Sequence, residues 1–470
     1  MEFQLDYLGK MLLKELQSKK IAILGFGKEG IDNYLALRKL FPDKILAIAD
    51  KKGVGEFDKK TQSILKKDKK LNLRLGNNYL QTIGDYDFIL KTPGISPKEL
   101  GSLGKSKEPS SLQSPFITTQ TQIFFDNFPG LIIGITGTKG KGTTSSLIYE
   151  ILRKTGLEVH LGGNIGKPVF QYLLKAKPSD IFVYELSSHQ LQGLKKSPHI
   201  AVFLNLFQDH LDYYKNFEEY RKAKANICLH QTKNDFLIYN SSDKKVREIS
   251  LKIKAKKIPF SLSEKSSLFK IIKPKDIGLK GDFNLLNIMA ATKAANILQI
   301  KPSIIKQAVK EFKGLPHRLE FAGKYKSIEF YNNSMATVPQ TTILDLKTFN
   351  GKPITLIVGG SDKGSDYTDL AKEILKSTVK NLVILGKGTG QKILDLIQKT
   401  KAETKVARIP REFRVDAMKE AVKICYEKTQ KNGVCLLSPA SASFNIFKDY
   451  QDRGNQFKKY IKSYNNAKNS

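Results

Sequence analysis

Between Leu131 and Ser146 the chain reads LIIGITGTKGKGTTSS, and few folds accept such a stretch. The apolar run Leu131 to Ile135 predicts a buried strand. Gly137, Gly140 and Gly142 follow it around Lys141, and TTSSLIYEILRK then has the Ser/Thr start and apolar spacing of a helix. Strand, glycine loop, lysine and helix, in that order, wrap backbone N–H groups around a polyphosphate at a helix N-terminus. The usual loop places Ser or Thr straight after the lysine. Here Gly142 intervenes, so the hydroxyl that would meet a metal falls to Thr143 or to Thr144.

The segments on either side predict the same fold class. IAILGFGKEG runs a strand into Gly25, Gly27 and Gly30, and KILAIAD ends a second strand on Asp50. That spacing is the dinucleotide-fold fingerprint, although glycines that only pack a turn would read alike. YDFILKTPGISP (86–97) adds a strand, and the polar GSLGKSKEPSSLQS (101–114) reads as a linker. DIFVYELSS (180–188) and IAVFLNLF (200–207) carry polar residues at their C-terminal tips, where open α/β sheets place ligands. ITLIVGG (354–360), NLVILGKG (381–388) and VCLLSPASAS (434–443) alternate with helical stretches. The expectation is α/β throughout, in three domains: a Rossmann-like 1–114, a central P-loop ATPase-type sheet over 115–315, and a Rossmann-like 316–470.

Composition excludes several classes. A length of 470 residues with 40% hydrophobic content is globular and too long for one core. No stretch reaches membrane-spanning length and MEFQLDYLGK lacks the build of a signal peptide, so a cytoplasmic protein is expected. Cys228, Cys425 and Cys435 suit neither a zinc site nor a disulfide framework. The net charge of +34 comes from 69 lysines against 10 arginines, spread in clusters such as KKDKK. Bidentate phosphate and base recognition favours arginine, so a solvated surface that attracts anionic substrates is expected, with no specific nucleic-acid partner.

Seven motifs in order, GITGTKGKGTT, GGNIGKP, ELSSHQL, NLFQDHLDYY, YRKAKANI, GLPHRLE and LLSPASASFNIFKDYQDRGNQF, resemble the Mur ligase family over nearly the full length. The resemblance implies a domain binding a UDP-linked substrate, an ATPase domain and a domain bringing an amino acid. It implies ATP-dependent phosphorylation of the carboxylate of UDP-N-acetylmuramoyl-L-alanine, then attack by the amine of D-glutamate, in a monomer that touches no membrane. Position by position, it implies that Gly137, Thr138, Lys139, Gly140, Lys141, Gly142, Thr143 and Thr144 hold ATP. Asn284 and Asn287 would lie on the adenine side, and Arg318 on phosphate. Two Mg²⁺ ions would be held by Thr143, Glu185, His210 and a carbamylated Lys224; Lys141, Glu185, His210 and Lys224 form the catalytic set. Gly27, Lys28, Asp50, Lys52 and Asn164 would face the UDP substrate, with His317, Thr337, Lys363, Ser443 and Tyr450 further substrate contacts.

Departures accompany the resemblance. Gly142 gives the GKG order of folylpolyglutamate synthases, the same-class rival reading, against which the N-terminal glycine turn and GGNIG stand. Phe283 and His189 replace residues usual in the family. In YNNSMAT (331–337), Asn333 stands where an acid is usual and Met335 where a lysine is usual. A non-catalytic nucleotide or nucleic-acid binder is the other rival, opposed by the retained Lys141, Glu185, His210 and Lys224.

Overall fold

The computed structural model describes residues 16–81, 83–100, 116–165, 169–210, 213–362, 364–404, 409–444 and 446–466. Lys363, the linker 101–114, and parts of GGNIGKP and NLFQDHLDYY lie outside the described residues.

Two compact units divide the chain. One runs to Ile271 and adds Leu286–Ala308; the other takes Ile272–Leu285 and continues from Val309. The first unit holds two sheets. Strands β1 (Ile21–Leu24), β2 (Leu46–Asp50), β3 (Leu71–Leu75), β4 (Phe88–Lys91) and β5 (Phe116–Thr119) run parallel in the order β3-β2-β1-β4-β5. The first sheet therefore continues past residue 114. The second sheet comprises β6 (Leu131–Thr136), β7 (Val159–Gly163), β8 (Ile181–Glu185), β9 (Ile200–Phe203), β10 (Phe236–Asn240) and β11 (Lys256–Phe260). It is also parallel, in the order β11-β10-β9-β6-β8-β7. Its inner strands are apolar on both faces, as helix-covered parallel strands must be. β6 lies between β8 and β9; the chain runs from β6 to β7 on the β8 side and crosses to the other side only between β8 and β9, so the crevice beyond the C-terminal end of β6 lies where the strand order reverses, the place where such sheets bind ligands.

Buried Asp32 ties the first sheet's opening helix, Lys28–Leu40, to the second sheet. Its carboxylate accepts from Phe170 N (2.8 Å), Gln171 Nε2 (2.8 Å) and Gln120 Nε2 (2.8 Å).

The second unit holds β12 (Glu320–Tyr325), β13 (Ile328–Asn332), β14 (Ile354–Val358), β15 (Val379–Leu385), β16 (Arg411–Val415) and β17 (Val434–Leu437), in the order β12-β13-β17-β14-β15-β16. The three α/β sheets expected from the sequence are present, with one difference: β12 pairs antiparallel with β13. Lys326 (φ 49°) and Ser327 (φ 62°) both lie in the left-handed region, which is how a two-residue hairpin follows the twist of its strands. Neither residue is the Asn or Gly that signals such a turn in a sequence.

Candidate active site

The loop after β6 delivers the helix Lys141–Arg153, capped by Gly140 at φ 88°. A side chain there would be strained and would also collide with Asn287 Oδ1. Asparagine 205 holds the loop from below: its Oδ1 accepts Lys139 N (2.9 Å), its Nδ2 donates to Lys139 O (2.9 Å), and its carbonyl accepts Thr138 N (3.0 Å). Lys141 Nζ curls back onto Gly137 O (3.0 Å) and Thr138 O (3.2 Å). Thr144 Oγ1 donates to Asn287 Oδ1 (3.2 Å), whereas Thr143 Oγ1 makes no hydrogen bond among the described residues. Of the two candidate hydroxyls, Thr143 is the one left for a ligand.

Lys224, 1% exposed, enters the same loop from the helix Phe217–Leu229. Its Nζ donates to Gly137 O (2.9 Å), the carbonyl that Lys141 also uses, and to Thr136 Oγ1 (3.3 Å). Burial first, and then the Lys141 charge, push its ammonium well below the usual lysine range. Glu185 closes β8 at 1% exposure, within the field of Lys224. Its Oε1 accepts Asn164 Nδ2 (2.8 Å), but Oε2 is buried with no hydrogen-bond partner among the described residues. A buried, half-satisfied carboxylate beside a phosphate loop fits a hard cation. His210 is exposed, at φ 56°, with its ring 4.8 Å from that of His189 and 6.2 Å from that of Tyr220. Asp209 pairs with Lys139 (3.4 Å). Among the described residues no cluster of three or more His, Cys, Asp or Glu side chains forms a ready-made metal cage. The available donors are one acid, one imidazole, one hydroxyl and a lysine.

At the first sheet, Asp50 Oδ2 accepts Phe26 N (2.6 Å) and so braces the glycine turn, while Oδ1 accepts Lys52 N (2.9 Å) in the loop that follows Asp50 itself, so both oxygens are occupied. Gly27, Lys28 and Lys52 are exposed. Sequence reasoning missed Glu29 and Lys91 beside them. Burial raises Glu29 to about 7 and lowers Lys91 to about 8, each opposed by the other's charge. Lys91 stands at the tip of the strand YDFILK, a position that could have drawn notice.

In the second unit, buried His317 (φ 63°) meets Asn332 Nδ2 through Nδ1 (3.0 Å), and Tyr450 lies 6.0 Å away ring to ring. Arg318 follows on the same turn, and Thr337 and Ser443 sit on the loops after β13 and β17. Asn284 belongs to this unit, while Asn287 belongs to the first. Two buried groups escaped the sequence reading. Asp345, on the helix Pro339–Thr348, accepts Asn333 Nδ2 (2.6 Å) and Ser438 Oγ (2.6 Å), and burial raises it to about 7. Arg453, on the helix Tyr450–Asn466, is 0% exposed.

A glycine loop capping a helix with a lysine, facing an orphaned acid at the next strand tip, defines a nucleotide-phosphate site of the α/β class. The chain belongs to the Mur ligase family. The family model for the Mur ligase middle domain matches residues 135–295. The UDP-N-acetylmuramoylalanine–D-glutamate ligase of Acetivibrio thermocellus is 34% identical, with 96% of this chain and 97% of that protein covered. Its namesake in Clostridium tetani is 33% identical over 96% and 98%. Among solved structures, UDP-N-acetylmuramate-alanine ligase from Thermotoga maritima shares the fold at a TM-score of 0.55 and 17% identity, covering 96% of this chain and 100% of that one. MurF ligase from the same organism, in complex with ADP, does so at 0.57 and 15%, covering 95% and 97%. ATP use follows from family membership.

Proposed function

We propose that this chain joins D-glutamate to UDP-N-acetylmuramoyl-L-alanine, with ATP cleaved to ADP and phosphate, as a cytoplasmic monomer making peptidoglycan precursor. The observation that carries the reading is the convergence of Lys141 and Lys224 on one loop carbonyl, with Glu185 in the field of Lys224. A carboxylate is a poor electrophile, so one of its oxygens must leave as phosphate. ATP and that carboxylate are both anions, and bringing them together requires cationic neutralisation, which Lys141 supplies at the transferring phosphate. Thr143, Glu185, His210 and Lys224 are the residues that would hold two Mg²⁺ ions, which supply further neutralisation at the phosphate oxygens. Lys224 serves there as a carbamate. Its burial favours the neutral amine, the form that attacks CO₂, and the product offers oxygen where an ammonium would repel the metal.

The division of labour follows the sheets. Residues 1–114, extended by Phe116–Thr119, take the uridine diphosphate end, through Gly27, Lys28 and Lys52, with Asp50 bracing the turn. Residues 115–315 take ATP, with Asn287 accepting from Thr144 beside the loop cap at Gly140. Residues 316–470 take the amino acid, through Thr337, Lys363, Ser443 and Tyr450. Measuring ADP release with UDP-N-acetylmuramoyl-L-alanine against a panel of amino acids tests the assignment. D-glutamate should support turnover well above the others; turnover that is equal across the panel, or greater with another amino acid, overturns the acceptor.

A further inference from the structure

The loop after β17, Ser438 to Ser443, is held by an unusual cation. Arg453 donates to the loop through Nη2 to Ser441 O (3.0 Å) and Nη1 to Ala442 O (3.3 Å). It reaches the loop after β13 through Nε to Ser334 Oγ (3.0 Å) and Nη2 to Ser334 O (2.8 Å). All four contacts are to carbonyls and a hydroxyl; none is to a carboxylate. A fully buried guanidinium normally demands a carboxylate, because desolvating a charge is costly. Here its charge is offset only by three peptide carbonyls and one hydroxyl.

Those dipoles have another end. Every described peptide bond is trans, so each carbonyl drawn toward Arg453 turns the N–H of the same peptide away from it. The Ala442 carbonyl shares its peptide with Ser443 N–H. That carbonyl is fixed twice, by Arg453 and by Ser361 N (2.9 Å), which leaves the peptide little freedom to rotate. Ser443 is 3% exposed, yet its N–H donates to no group among the described residues. A buried backbone donor without an acceptor is rare, and its desolvation is unpaid until something accepts from it. The charge on the carbonyl side also polarises the peptide and strengthens the N–H as a donor. Tyr450 extends the frame, since its carbonyl accepts Ser334 Oγ (2.7 Å) on the opposite loop.

We propose that Arg453 is a positioning residue for the amino-acid substrate: it never touches that substrate, but it aims the Ser443 peptide N–H at an acceptor carboxylate. This rests on the proposed reaction and specifies how one carboxylate of the incoming dicarboxylic amino acid is gripped. The chemistry recognised is a carboxylate accepting from a polarised amide beside a serine hydroxyl.

The test uses the full-length wild-type protein, with D-glutamate as the probe and the Ser443 amide resonance as the readout. Saturating D-glutamate, added with ADP and phosphate present, should move the Ser443 amide proton downfield. A Ser443 amide that stays put while D-glutamate is turned over overturns the proposal and leaves the reaction standing. If D-glutamate is not turned over but another dicarboxylic amino acid moves the resonance, the seat stands and the acceptor assignment fails instead. A variant series reads the positioning role. Arg453→Met should raise KM for the amino acid at least about tenfold while KM for ATP stays within about twofold, the pattern of lost acceptor binding. Arg453→Lys keeps the charge but not the four-way grip and should recover part of the loss. Should Arg453→Met fail to fold, methylguanidinium added to Arg453→Ala is expected to restore amino-acid KM. Equal changes in both KM values, with no recovery by lysine or methylguanidinium, mean that Arg453 only supports the fold.

Discussion

At the scale of single residues, the active-site threonines and two buried ionisable groups make separable predictions. Thr143→Ala should lower Mg²⁺-dependent turnover about 10–100-fold, the usual loss when one metal-side group goes, and Thr144→Ala should do less because its hydroxyl is already bonded to Asn287. Equal, mild effects would place the hydroxyl ligand elsewhere. If Lys224 carries the proposed carbamate, Lys224→Ala should lose most activity and regain some with added formate or acetate, which would supply the oxygens that the carbamate provides; an active variant indifferent to CO₂ refutes the modification. Asp345 bears on stability. Its carboxyl titrates near 3.8 unfolded and at about 7 folded, so between those values the folded state holds the extra proton. Stability should therefore fall as pH rises through that window and level off above about 7. Asp345→Asn should flatten that slope and be the more stable form at pH 8 by a few kcal/mol, read by denaturant unfolding at several pH values. None of this was legible in TTILDLKTF, where an acid on a helix reads as solvated surface. Arg453 was visible inside a quoted motif, but arginine is so seldom fully buried that spacing alone gives no reason to expect it there.

At the scale of elements, the loop and helix 137–153 were readable because glycines and an apolar run impose local geometry that tertiary contacts do not override. Gly140 carries the clearest consequence. Gly140→Ala meets both a left-handed φ and the Asn287 amide, so it should cost about 1–3 kcal/mol locally and weaken ATP binding. Calorimetric ATP titration beside a melting curve checks this; unchanged ATP affinity would mean that the loop relaxes freely. The buried strands were readable for a similar reason: IFVYE and IAVF are continuous apolar runs bounded by polar tips. The edges were not. β12 and β16 are half-buried or exposed along almost their whole length and carry charges, and the β12–β13 turn is made by Lys326 and Ser327 without a glycine. Asp50 shows a further limit. Its place at a strand tip was legible, but its occupation by two backbone N–H groups was not.

At the scale of the whole molecule, the charge of +34 is a property of the surface. DNA or RNA retention should be weak at 50 mM salt and fall by about 10³-fold or more by 200 mM, as counterion release requires. Sequence-selective binding that survives physiological salt would contradict the ligase reading of that surface. No helix among the described residues is long and apolar enough to cross a membrane. The order of strands in the third sheet matters for how the protein is made. Among the described residues β17 is the last strand, yet it lies between β13 and β14, where it supplies backbone partners to both. A nascent chain must hold two unsatisfied strand edges apart until Val434–Leu437 emerges from the ribosome, and a product cut short before that point keeps them bare. Premature termination before Val434 should then yield a sticky, chaperone-dependent polypeptide rather than a merely inactive one.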